Sequence, residues 1–247
     1  MTTASGDGLS IAARLFLATV AAAARLNSHC ALLGEPFVYD NSAFPWAGKL
    51  EREWRTIRGE LDRLFARKGE MPPVQDIVSG AVSITRDADW KIFVLMFHGV
   101  KSPPNIALCP ETWQLVRQVP GLRSALFSIF EPGKRLPPHC GPYNGILRLH
   151  LGLIVPEPEG AAIRIGAEVR HWREGEALIF DDAHEHETWN ATAHPRVVLF
   201  IDFLKPLRFP ANLTNRLLLT AALLSSYVRQ GRTGLRQWER QFHADRG

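Results

Sequence analysis

Cysteine is scarce in this sequence. Its 247 residues hold three, Cys30, Cys109 and Cys140, an odd number with no CxxC spacing. That excludes a disulfide framework and suits a reducing cytosol. No apolar run reaches the roughly 20 residues needed to cross a bilayer. The run over residues 8–24 is interrupted by Arg14, and no small-residue cleavage site follows it. It therefore reads as an amphipathic or buried helix rather than a signal peptide, with a membrane-touching N-terminus left open. There is no internal repeat and no low-complexity block. The net charge is +4, but lysines and arginines are dispersed rather than blocked, so nucleic acid is not expected as a partner.

The remainder is ordinary globular material, 46% hydrophobic and 22% charged, with 7 Trp and 13 Phe to build a sizeable core. Residues 1–7 are small and polar and read as disordered. A helix is expected over roughly 8–26. Residues 34–47 read as irregular packed chain. In KLEREWRTIRGELDRLFARKG, apolar residues at Leu50, Trp54, Ile57, Leu61, Leu64 and Phe65 recur at helical spacing opposite a charged face. That helix reads as scaffold, with Gly69 as its C-cap.

From about residue 79 the pattern turns to strands: AVSIT, WKIFVLMFH, then, after a short helix at 109–121, seven more runs from SALFSIFEP to VVLFIDFL. Short strands at such spacing, separated by turns, suggest a sandwich or barrel rather than a parallel sheet. In ILRLHLGLIV the leucines 147, 149, 151 and 153 alternate with Arg148, His150 and Gly152. Arg and His on an inner barrel face are costly unless they bind something. The chain thus divides into a helical and irregular support region (1–78), a β domain (79–206) and a basic helical tail (207–247). In the tail, the apolar run Leu217–Val228 is flanked by arginines. It fits either an interfacial helix making peripheral membrane contact or a helix packed on the domain or across a dimer.

The chemistry-bearing stretch runs from Ser128 to Pro206. His139 and His186 each end a short apolar run, and imidazole suits a d-block metal such as Fe(II). A non-haem iron oxygenase usually places a carboxylate two residues after the first His. Here that position is Gly141, which cannot ligate. The sequence has nine histidines; His98, His171, His194 and His243 read as surface or satisfied polar residues, and His150 and His184 stay ambiguous. Spacing alone leaves a metal site open.

The blocks HxGPxNxxLRxHLGL, from His139 to Leu153, and WxxGxxxIFDDxxxHExW, from Trp172 to Trp189, stand in order, followed by Arg196 and by Asp202 before a Lys-Pro. From about Trp90 to Pro206 the chain resembles the aspartyl/asparaginyl β-hydroxylase family of Fe(II)/2-oxoglutarate dioxygenases. The resemblance implies a mainly β protein with flanking helices, a double-stranded β-helix or jelly-roll barrel. It implies His139 and His186 as iron ligands with no protein carboxylate beside them, and Arg196 on the distal carboxylate of 2-oxoglutarate, assisted by the Ser128 hydroxyl. Arg148, His150 and Trp90 would line the cosubstrate site. Asp182 would orient a ligand histidine, or, as an alternative, ligate directly. Trp172 and Trp189 read as core.

The cofactors implied are Fe(II), 2-oxoglutarate and O2, with oxidative decarboxylation to succinate and CO2 coupled to hydroxylation of an unactivated C–H. The first reading of the substrate is the β-carbon of an Asp/Asn-type residue in a peptide, or an amino-acid derivative, because the HxG form is that of the peptide branch. The alternative is a lipid acyl chain, of lipid A or ornithine-lipid type, favoured by DFLKPLRF and the Arg-flanked tail. A non-catalytic barrel binding a carboxylate or metal is a third reading. The expected location is cytoplasmic, with peripheral membrane contact through the tail.

Overall fold

The computed structural model describes residues 10–244. The segment 1–7 read as disordered, and residues 8 and 9 of the first expected helix, lie outside that range. Eleven strands are described, in two antiparallel sheets. They are β1 (Val38–Tyr39), β2 (Trp90–Phe97), β3 (Val100–Lys101), β4 (Leu122–Phe130), β5 (Arg135–His139), β6 (Ile146–Ile154), β7 (Ala161–Ile165), β8 (Glu168–His171), β9 (Ala177–Phe180), β10 (His186–Asn190) and β11 (Arg196–Leu204). The larger sheet has the order β1-β9-β6-β11-β4-β2-β3 and the smaller β5-β10-β7-β8. Two antiparallel sheets closing on one another in this order form the double-stranded β-helix.

The alternation in β6 decides where the two cores lie. Leu147, Leu149, Leu151 and Leu153 are fully buried on the outer face of the large sheet. They join Phe93, Phe127 and the helices α2 (Ala47–Arg52), α3 (Trp54–Phe65), α4 (Val74–Ile77), α5 (Pro103–Leu108), α6 (Pro110–Val116) and α8 (Ser226–Ala244) in the main core. On the inner face a smaller cluster of Ile163, Ile165, Trp172, Phe180 and Val198 fills the space between the sheets. Arg148 and His150 point to that inner side. The helical layer covers the sheet's back and leaves the lumen to carry polar chemistry.

Several local expectations give way to packing. The expected single helix from Leu50 to Phe65 bends at Glu53, which ends α2 and starts α3. AVSIT is not a strand: Ser79–Ser83 form a 3-10 turn with Ala81 buried in the main core. Pro137-Pro138 sits inside β5. β5 is an edge strand, where missing N–H donors cost no ladder bond. The apolar run Leu217–Val228 is not one helix, since α7 (Ala211–Ala221) is separated from α8 by a break at Ala222–Ser225.

The tail helix α8 is an integral part of the domain. Val228, Gly231, Leu235, Trp238 and Phe242 recur at alternating steps of three and four and are buried. A Cβ on Gly231 would stand 2.4 Å from the Phe97 ring, so close helix–sheet contact requires glycine there. Trp238 Nε1 donates to the Glu70 carbonyl at 2.7 Å. Among the described residues no helix is long and apolar enough to cross a membrane.

Candidate active site

The register of β5 and β10 sets His186 directly opposite His139. Their ring centroids are 4.2 Å apart. Each Nδ1 contacts the carbonyl two residues earlier, Pro137 O at 2.8 Å and His184 O at 2.9 Å. A carbonyl only accepts, so these bonds assign the proton to each Nδ1 and leave a lone pair on each Nε2. Burial lowers the pKa of both rings, that of His186 to about 3 with His139 adding to the effect. Two neutral imidazoles with free Nε2 lone pairs on paired strands suit a divalent d-block metal. Among the described residues no group of three or more His, Cys, Asp or Glu side chains converges as a metal cage.

Gly141 acquires a physical reason. A Cβ there would stand 2.6 Å from Asp182 Oδ2, and the Gly141 N–H donates to the Asp182 carbonyl at 2.7 Å. The carboxylate of Asp182 fills the space that a side chain at 141 would need. The FDD motif splits its two acids between separate tasks. Asp181 ties the β9–β10 turn, accepting from Ala183 N–H at 3.0 Å and from Lys205 Nζ at 2.8 Å. Asp182 faces the loop after His139. Its Oδ2 pairs with Arg148 Nη2 at 2.9 Å, and its Oδ1 is buried without a partner. Burial pushes this carboxyl up to about 6, with Arg148 opposing the rise.

The inner face of the large sheet gathers the remaining expected residues. Across the ladder, Phe130 pairs with Arg196, Ser128 with Val198, His150 with Phe200 and Arg148 with Asp202. Trp90 donates from Nε1 to Ser128 Oγ at 3.0 Å and meets the Phe130 ring edge-on at 5.4 Å. Arg196 is 1% exposed, and its guanidinium lies between the rings of Phe130, at 4.0 Å, and Trp172, at 4.3 Å. Its Nε and Nη1 have no hydrogen-bond partner, and burial lowers its pKa to about 9. His150 is buried among Phe180, Phe200 and Trp172 with both ring nitrogens unpaired. Burial lowers its pKa well below the usual value, with Arg196 and Arg148 adding to the effect.

Buried donors without partners are rare in folded proteins. Here they cluster: Arg196 Nε and Nη1, Trp172 Nε1 and the His150 ring on one lumen wall. The Phe180 ring links His150, at 5.0 Å, to His186, at 6.1 Å. A fork of unpaired guanidinium N–H groups in an apolar cage fits a carboxylate. Two facing imidazoles and an unpaired, caged guanidinium therefore share one lumen.

All eight expected site residues, Trp90, Ser128, His139, Arg148, His150, Asp182, His186 and Arg196, fall in this one region. Three participants escaped the sequence reading. Phe130 and Trp172 sandwich Arg196, and Asp202 holds Arg148 through Nε–Oδ1 at 2.9 Å. Phe130 stands two residues after Ser128, hence on the same strand face, which is the signal that would have found it. Trp172 read as core, and it is core as well as lining.

A family model described as aspartyl/asparaginyl beta-hydroxylase matches residues 51–206, so the likeness begins at the charged helix, earlier than Trp90. An ornithine lipid ester-linked acyl 2-hydroxylase from Rhizobium tropici is 50% identical over 97% of this chain and 85% of its own length. A human aspartyl/asparaginyl beta-hydroxylase is 36% identical over 64% of this chain, which spans only 21% of that protein. A prolyl-4-hydroxylase from Pseudomonas putida overlays on 65% of this chain and 87% of its own with a TM-score of 0.42 and 17% identity, a likeness too loose to carry an argument. The chain belongs to the aspartyl/asparaginyl β-hydroxylase family and is a hydroxylase.

Proposed function

We propose that the protein is an Fe(II)- and 2-oxoglutarate-dependent dioxygenase that hydroxylates the acyl chain of an ornithine-type membrane lipid. The observation that carries the cofactor reading is the unpaired, caged guanidinium of Arg196 in the same lumen as the His139–His186 pair. His139 and His186 would hold iron through Nε2. Arg196 would hold the distal carboxylate of 2-oxoglutarate, with Ser128 beside it and Phe130 and Trp172 excluding water. Iron, 2-oxoglutarate and O2 together supply the oxidising chemistry that inserts oxygen into a C–H bond.

The chain's own residues then have distinct tasks. The Pro137 and His184 carbonyls fix the ring orientation of the ligand histidines. Asp202 and Asp182 hold Arg148 against the Phe200 ring. Asp182 Oδ1, left unpaired beside the loop that follows His139, would accept a hydrogen bond from a group bound at the metal. The neutral ring of His150 would line the cosubstrate.

The substrate reading rests on the Rhizobium tropici relative, whose name specifies the 2-position of an ester-linked acyl chain and whose likeness spans nearly the whole chain, tail included. The likeness to the human enzyme covers only part of this chain. This moves the weight from the Asp/Asn reading to the lipid alternative. The test is oxygen-dependent succinate release with Fe(II) and 2-oxoglutarate, run with dispersed ornithine lipid and with an Asp/Asn peptide. A gain of one oxygen on the ester-linked chain is the expected product. Oxygen gained on the peptide alone would restore the first reading, and binding of both cofactors with no turnover of either would favour a non-catalytic barrel.

A further inference from the structure

Helix α1 (Ile11–His29) is apolar, yet Asn27 is the one residue among those described on it that is buried. It exposes Leu15, Phe16 and Leu17, each by more than half. It packs along α7, and the chain ends beside the two helices are zipped by the Ala31–Leu207 bridge. On and before α7, Phe209 is 77% exposed, Leu213 51% and Leu217 62%. Among the described residues, every exposed large apolar side chain except Val82 and Val169 lies on α1, on α7 or in the turns beside them. Such clustering marks an interaction surface rather than scattered exposure.

Charge selects the occupant. From Ile11 to Gly34 and from Phe203 to Trp238 the sequence contains no Asp or Glu. Arg25, Arg208 and Arg216 are exposed beside the apolar face, and no carboxylate pairs with them among the described residues. Beyond α7, a groove of about 230 Å³ combines Leu223 and Leu224 with Arg229 and Arg232. Apolar side chains flanked by cations, with no anion among them, complement an anionic lipid surface. A second copy of this chain would bring a second cationic face against the first.

The two helices are also fastened to the site. Asn27 of α1 donates to Tyr143 Oη at 2.8 Å and to Asn144 Oδ1 at 3.3 Å. Asn144 donates to the Ala24 carbonyl at 3.0 Å, and Asn215 of α7 to the Gly145 carbonyl at 2.7 Å. Tyr143, Asn144 and Gly145 belong to the loop that leaves His139. We propose that α1 and α7 form a membrane-docking platform that lies on an anionic bilayer and sets the loop after His139 at the lipid surface. The proposal rests on the lipid reading above; it keeps membrane contact in the tail at α7, joined by α1, and excludes α8, whose apolar face is spent on the core.

The test is cosedimentation of the full chain with vesicles of phosphatidylcholine alone or with about a third phosphatidylglycerol. The expected result is binding to the anionic vesicles that weakens with salt. The variant L15S/F16S/L213S/L217S should lose about 10-fold or more of that binding, while V169S, on the far sheet, keeps it. Circular dichroism checks folding, and R208Q/R216Q, which removes no apolar contact, should narrow the difference between the two vesicle types. No binding by the wild type, or equal binding by the serine variant, overturns the proposal. So does a wild-type dimer in sedimentation velocity that binds no vesicles and becomes monomeric in the serine variant. Turnover of detergent-dispersed lipid, which needs no bilayer, separates the two readings. Turnover without vesicle binding overturns the platform and keeps the lipid reading. Vesicle binding without acyl oxidation keeps the platform and sinks the lipid reading.

Discussion

His139 and His186 face each other across one antiparallel pair of strands, each with Nδ1 fixed by the carbonyl two residues before it. The strand register, rather than a loop, sets the two rings side by side. Replacing either histidine by alanine should abolish metal-dependent succinate release and metal binding, measured by titration with Mn(II) or Fe(II). Tight binding by either single variant would mean that the pair is not the ligand set.

If Arg196 holds the distal carboxylate as proposed, R196M should raise the KM for 2-oxoglutarate by about 10²-fold, the cost of unpairing a buried charged partner. Metal affinity should persist. R196K should recover only part, because an ammonium lacks the planar fork that fits between Phe130 and Trp172. Equal loss of metal and cosubstrate binding would contradict the assignment.

Restoring a carboxylate at position 141 should harm the site. G141D drives its Cβ into the Asp182 carboxylate, 2.6 Å away, and activity should fall by at least about 10-fold. The double variant G141D/D182G removes the obstruction and should bind metal better than G141D alone, read by the same titration. An active G141D single variant would show that Asp182 can move aside without consequence.

Acid should destabilise the metal-free protein through the histidines. Both are neutral in the fold, and in the unfolded chain they protonate below about pH 6.5. The unfolded state then binds more protons, so stability falls as pH drops from that value toward the folded value of His186, about 3. Asp182 works the other way. Its raised value of about 6 makes the folded state bind the extra proton, so its own contribution improves as pH falls through 6. D182N should therefore steepen the acid loss, seen in the pH dependence of urea midpoints. A shallower loss in D182N would contradict the buried, raised carboxyl.

Residue order alone carried the strand content, the alternation that sends Leu147–Leu153 outward and Arg148 and His150 inward, and the motif blocks that mark the eight expected site residues. These are local facts of periodicity and residue type. It misread AVSIT and the run Leu217–Val228, because a short apolar segment takes whichever backbone its neighbours allow, and those neighbours lie far off in the chain. The reason position 141 is glycine emerges only in the folded chain, since the Asp182 carboxylate that fills its space comes from another turn. The fold also decided that Phe130 and Trp172 cage Arg196, and that α1 and α7 leave an apolar face uncovered while α8 does not. Such facts depend on which residues distant in sequence come to share one space, and composition and spacing carry no record of that.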